Sequence, residues 1–281
     1  MRPFTLASAV LTAVFGLAGF SSEARSWGHD GHRIVAAIAF KLLPPEKAAA
    51  LDKLLKESEV GRGFVEAAGY PDDVIRGQDH SFNPWHYVNW PDDQLKTSAQ
   101  SCPHSCIIKA LRDQINVAKT SQDPEEKALA LSWVIHLVGD LHQPLHVADR
   151  DGDEGGNGFG VSYKGKNTCG PPSFPRAIKK VQLHKVWDDC LVISLEAGKT
   201  WQQTADDIRG NLTTYKGQAA AKGNIQDWAK EAHILAHTRA YANLRDGDDL
   251  EDEYIDSALP VVKDQLLKAG IRLAKVIDDN M

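Results

Sequence analysis

The stretch from Asp123 to Pro144, DPEEKALALSWVIHLVGDLHQP, constrains the fold more than any other part of the chain. Asp123 reads as an N-cap, Pro124 takes the first helical position, Glu125 and Glu126 fill the first turn, and Pro144 ends a helix that runs to about Leu141. Inside it His136 and Asp140 stand four residues apart, so an imidazole and a carboxylate share one helix face about one turn apart. His184-Lys-Val-Trp-Asp188 repeats that spacing in a later helical pattern. A single pair of this kind reads first as a surface ion pair. Two pairs, both flanked by Trp, Leu or Val and so half buried, read instead as metal ligands, each helical turn offering one nitrogen and one oxygen from a rigid support.

Most of the remaining chain is helical in pattern. Apolar residues recur at three- and four-residue intervals over 32–43 and 45–57, and helices are expected over about 104–120, 175–196, 201–215, 225–244 and 256–278. No repeat of fixed period is present. The long irregular piece is 147–172, which carries seven glycines and has room for a short hairpin around Phe159–Lys164. The expected fold class is all-α, in one compact domain, because no Pro/Gly/Ser-rich linker divides the chain.

The first 26 residues have a different character. Arg2, an apolar run from Phe4 to Phe20 and the small residues of Ala24-Arg25-Ser26 follow the pattern of a secretory signal peptide. The run is 17 residues long, shorter than the roughly 20 needed to span a bilayer. Cleavage after Ser26 makes Trp27 the N-terminus of a domain over 27–281, without stable membrane association, secreted or periplasmic. That domain has 30 basic and 37 acidic side chains, a balance of −7 with no basic stripe of the kind that grips duplex DNA. Cys102, Cys106, Cys169 and Cys190, an even number in an exported chain, favour two disulfides, and three connectivities remain open.

Further ligand candidates lie outside the two pairs. Beyond Asp140 the chain reads Leu-His142-Gln-Pro-Leu-His146, and the turn at Pro144 lets His146 swing toward the same cavity, whereas His142 reads as support or packing. Tyr70-Pro71-Asp72-Asp73 and Pro84-Trp85-His86-Tyr87 offer a carboxylate and a histidine. With His32 the total is five histidines and up to four carboxylates, more than one zinc ion uses, which implies a cluster of two or three. A free amine at Trp27 has a pKa near 8 and forms a five-membered chelate ring with its own carbonyl oxygen. His233-Ile-Leu-Ala-His237 has metalloprotease spacing without the catalytic Glu and reads as helix packing, and Asp149-Arg-Asp151-Gly-Asp153 reads as a solvated acidic turn rather than a calcium loop.

WGHDGH at residues 27–32, YPD, WHYVN, HLVGDLHQPLH, GGN and HKVWD, in this order, resemble the zinc-dependent, single-strand-preferring nucleases and 3′-nucleotidases of the S1/P1 family. The resemblance implies an all-α monomer with three zinc ions. One is held by Asp72, His86, His136 and Asp140, a second by His146, His184 and Asp188, and a third by the amine and carbonyl of Trp27 with His32, sharing Asp140. It further implies phosphodiester hydrolysis of single-stranded nucleic acid and of nucleotides to 5′-phosphates, with Asp140 and Arg76 catalytic and Tyr87 stacking on a base.

Three positions depart from the family pattern. Asp72 matches the ligand motif from its left and Asp73 from the side of Arg76. Asn89 stands where fungal relatives carry a base-contacting acid, and Asp189 where some carry an asparagine. Two other readings use the same ligands: a zinc phospholipase C, and a non-catalytic zinc-binding protein with no open coordination position.

Overall fold

In a computed structural model, residues 27–91, 102, 105–169, 180–210, 212 and 214–281 are described. The expected leader lies outside them. The long helices are α1 (Gly28–Leu42), α2 (Pro45–Glu57), α3 (Ile107–Thr120), α4 (Pro124–Leu141), α5 (Trp201–Gly210), α6 (Ile225–Leu235) and α7 (Asp252–Asn280). Together with shorter helical turns they make the fold mostly α. No described helix is long and apolar enough to cross a membrane.

The opening of α4 follows its sequence: Asp123 accepts a hydrogen bond from the Glu125 N–H at 2.9 Å, which satisfies one orphan donor of the first turn. From Leu131 to Leu141 every residue of α4 is buried. A helix apolar all round belongs in the middle of a fold, and α4 packs against α1, α2, α3 and α7. α1 in turn packs along α7. Gly139 lets α1 come close to α4, since a Cβ there would lie 2.8 Å from the His32 Nδ1.

One buried polar cluster ties α7 to the C-terminal end of α4. Arg272, only 4% exposed, donates to the His142 Nε2 at 2.8 Å, to Glu231 at 2.6 Å and to the Ala220 carbonyl at 2.9 Å. His142 also donates from Nδ1 to the Val138 carbonyl. Burial, reinforced by the neighbouring guanidinium, lowers its pKa to about 3, so it stays neutral and accepts from Arg272. It serves as packing, and His233, bonded through Nδ1 to the Val147 carbonyl and edge-on to Trp90, does the same.

Several expectations need correction. The hairpin expected around Phe159–Lys164 is reduced to a tight turn, where Tyr163 and Lys166 exchange backbone hydrogen bonds at 2.7 and 3.1 Å, and the strand leading into it pairs with distant segments. β1 (Gly160–Tyr163) pairs antiparallel with β2 (Val181–Gln182) and parallel with β3 (Asp249–Leu250), forming the middle of a three-stranded sheet. Val161 and Tyr163 point into the core, and the two distant partners supply most of the pairing of so short a strand. The helix expected from 175 begins at Leu183, after β2, while 175–179 lie outside the described residues. The helix expected over 201–215 ends at Gly210, and a separate one covers Thr214–Ala220. Cys102 pairs with Cys106 and Cys169 with Cys190.

Candidate metal centre

The histidines and aspartates singled out in the sequence converge at the C-terminal half of α4. Asp140 is fully buried and contacts three imidazoles. Its Oδ1 lies 3.1 Å from the His32 Nε2, and its Oδ2 lies 3.0 Å from the His86 Nδ1 and 3.2 Å from the His136 Nε2. The His32 and His136 rings stack at 4.1 Å. Asp72 completes this side, its Oδ1 lying 3.7 Å from the His86 Nδ1 and 3.8 Å from the His136 Nε2.

A second group lies beyond it. His146 and His184 bring their Nε2 atoms to 3.1 Å, and Asp188 places Oδ2 3.4 Å from the His184 Nε2 and Oδ1 3.8 Å from the His146 Nε2. The Trp27 N–H donates to the Asp188 Oδ1 at 3.2 Å, and the Trp27 indole donates to the Gly139 carbonyl at 2.8 Å.

Local backbone explains how each side chain is aimed. His136 and Asp140 ride on a regular α-helix, but Asp72 and Asp188 lie in π-helical turns, Pro71–Ile75 and Val186–Cys190. Such turns widen the helix locally and recur at functional sites. His86 ends a 3-10 segment, His80–His86, and His146 lies in another, Pro144–Val147. Three imidazoles are held by backbone carbonyls behind them: the Nδ1 of His136 donates to Ala68, that of His146 to His86, and that of His184 to Gly155.

A carbonyl only accepts, so in these three rings Nδ1 carries the proton and a neutral ring turns a bare Nε2 lone pair inward. For His146 and His184 two such lone pairs then face each other at 3.1 Å beside a buried carboxylate. That contact is repulsive unless a cation or a shared proton sits among them. The Asp188 Oδ2, which faces His184, is buried without a hydrogen bond, a costly state for a polar atom. The donor chemistry therefore fits a metal ion, in three groups: His32, Asp72 and His136; His86, His136 and Asp140; His146, His184 and Asp188.

Electrostatics agree with this. Burial depresses the pKa of His32, His86 and His184, keeping them neutral and able to ligate. Burial pulls His136 the same way, but the carboxylates of Asp140 and Asp72 reverse it and raise His136 to about 9. Burial also opposes ionisation of Asp140, yet His136, His32 and His86 hold it well below the carboxylate range.

The structure separates the two adjacent acids. Asp72 faces the histidines and Arg76, whose Nη1 is 3.4 Å away, whereas Asp73 turns outward to Arg62 at 2.7 Å and His29 at 3.3 Å. Tyr87 and Asn89 are exposed while His86, Val88 and Trp90 are buried, so the extended chain after His86 presents both to the same side. Asp189 pairs with Lys185 and stands against Gly28, outside the three groups.

Two contributors carry no chemistry of their own and escape a reading of the sequence by residue type. One is Gln143, bonded to Asp188. The other is Gly155, in the GGN segment, whose carbonyl aims His184. Gly155 has φ +67°, and a Cβ there would lie 2.3 Å from the Leu145 carbonyl oxygen. Gly155→Ala is expected to cost more than the roughly 1–2 kcal/mol of the left-handed conformation alone, because the clash adds to it. A thermal unfolding midpoint equal to that of the parent protein would show instead that the loop relaxes freely.

Comparison with known proteins agrees with this geometry. A family profile described as S1/P1 Nuclease matches residues 27–281. The chain is 28% identical over 275 residues to Endonuclease 2 of Arabidopsis thaliana, covering 90% of this chain and 89% of that protein. It is 27% identical to Nuclease S1 of Aspergillus oryzae, covering 90% and 91%, and 27% identical to Nuclease P1 of Penicillium citrinum, covering 90% and 97%.

Proposed function

Since the chain belongs to the S1/P1 nuclease family and so hydrolyses nucleic acid, we propose that it is an exported zinc enzyme that cuts single-stranded RNA and DNA to 5′-phosphorylated products and also acts as a 3′-nucleotidase. The observation that carries this reading is the convergence of three His/Asp groups around the buried Asp140. Asp72, His86, His136 and Asp140 would hold one zinc ion, and His146, His184 and Asp188 a second. The Trp27 amine and carbonyl would hold a third with His32, sharing Asp140. The Trp27 carbonyl accepts one hydrogen bond, from Gly31, and keeps a second lone pair. The contact of one Asp140 oxygen with His32 and of the other with His86 supports the shared role. Zinc bound there supplies a Lewis acid and lowers the pKa of water toward about 7.

The chain's own side chains do the rest. Arg76, beside Asp72 at the edge of the cluster, offers its planar fork to a non-bridging phosphate oxygen. Tyr87 stacks on a base, and Asn89, on the same side, reaches the base edge with an amide that both donates and accepts. A buried centre next to an exposed aromatic admits a splayed, unpaired base and excludes the stacked duplex. Zinc at three sites also makes the floor locally positive in a chain with a net charge of −6, so no basic stripe is needed. Two disulfides fit an oxidising compartment, and the leader pattern fits export.

The test uses the protein beginning at Trp27 and a single-stranded oligonucleotide, with and without a zinc chelator, and identifies products by mass spectrometry. Chelator-sensitive 5′-phosphorylated products are expected. An intact oligonucleotide with zinc bound, together with cleavage of phosphatidylcholine, would move the activity to a phospholipase C.

A further inference from the structure

Gln143 is completely buried between the two carboxylate-bearing helical segments. Its side chain has one available orientation. The Leu145 N–H can only donate and lies 2.6 Å from the Gln143 Oε1, so the amide nitrogen must face the other way, where it meets the Asp188 Oδ1 at 2.7 Å. That oxygen also accepts the Trp27 N–H. The two Asp188 oxygens are therefore unequal: Oδ1 receives two N–H groups, and Oδ2 receives none although it is buried and faces His184.

We propose that Gln143 is a positioning residue that fixes the rotation of Asp188, so that the carboxylate presents Oδ2 alone, as a single-oxygen donor, to a cation shared with His146 and His184. This rests on the zinc reading above. Gln143 reaches both ends of that group. Its side chain caps the Pro144–Val147 turn that carries His146, and its backbone carbonyl accepts from the His146 N–H at 3.0 Å. One amide thus sets two of the three donors relative to each other, from a backbone anchored to the Asp140 carbonyl at 3.0 Å. Without it, the Trp27 N–H alone holds Oδ1, the carboxylate can turn to use both oxygens, and the His146 turn loses its cap.

The test is site-resolved metal binding to the full mature chain. The zinc is replaced by cadmium-113 and each ion is read as a separate NMR resonance, the resonance of this group being the one lost in Asp188→Asn. In Gln143→Met, which keeps length and removes the amide, that resonance should shift or disappear, and zinc affinity at this group should fall about 10- to 100-fold, the usual cost of losing an outer partner. The remaining resonances should stay in place. Gln143→Asn, which keeps an amide too short to reach Asp188, provides the same comparison if the Met variant does not fold. A wild-type protein that takes up neither zinc nor cadmium would overturn the zinc reading itself. Full wild-type loading with an unshifted resonance in the variant, or a uniform weakening at every site, would overturn the role of Gln143.

Discussion

Asp140→Asn is expected to lower oligonucleotide hydrolysis by at least about 10²-fold, the scale on which losing one group that stabilises transition-state charge is felt, and by more than His32→Ala does. The Asp140 Oδ1 serves His32 and its Oδ2 serves His86 and His136, at 3.0 to 3.2 Å, so one substitution reaches residues of two of the three groups. An amide keeps the shape but removes the negative charge that offsets the cost of burying cations here. His32 faces Asp140 on one side only. Removing it should weaken a single group and leave the pairing of His86 with His136 intact. Activity and zinc content per chain, measured on both variants, check this together. Equal losses of both quantities would mean that Asp140 serves one group alone.

Much of this centre was legible in the sequence, because helix geometry is short-ranged. Four-residue spacing sets His136 beside Asp140 on a regular α-helix, and it brings His184 to Asp188 even though the helix passes into a π-turn between them. Capping residues gave the start of α4, where Asp123 does bond the Glu125 N–H. The choice between Asp72 and Asp73 was not legible, since neighbours on a helical turn differ by about 100° in direction and only the packing of the turn decides which points inward. In the structure Arg62 and His29 hold Asp73 on the outside, and neither is near it in sequence.

The same limit hid the segments around the site. The turns over 66–86 follow no 3.6-residue period, because they mix 3-10 and π geometry and contain Pro71 and Pro84. The strands Val181–Gln182 and Asp249–Leu250 have two residues each, too few to show alternation, and they exist only because Gly160–Tyr163 pairs with both. Gln143 was invisible for a third reason. It sits in the middle of a stretch rich in histidine, yet its partner is 45 residues away, and a glutamine carries no charge or periodicity to announce a distant contact.

Residues left ahead of Trp27 should cost the protein one zinc ion and at least the roughly 10- to 100-fold in affinity or activity that even an outer-shell partner commands. Trp27 is completely buried and fixed at both ends: its indole donates to the Gly139 carbonyl, its backbone nitrogen lies 3.2 Å from the Asp188 Oδ1, and its carbonyl caps the first turn of α1. The main-chain nitrogen is thus carried into the cluster rather than out to solvent. If it is a free amine, its pKa near 8 lets a metal displace the proton and take the lone pair. If it is a peptide nitrogen, resonance with the preceding carbonyl withdraws that lone pair, leaving a donor for Asp188 but no ligand. Two preparations of the same chain, one beginning at Trp27 and one with Gly-Ser ahead of it, isolate this difference, because every other side chain is unchanged. The expected result is one ion fewer by elemental analysis and slower hydrolysis in the extended form. Equal zinc content and equal rates would show that the amine is not a ligand.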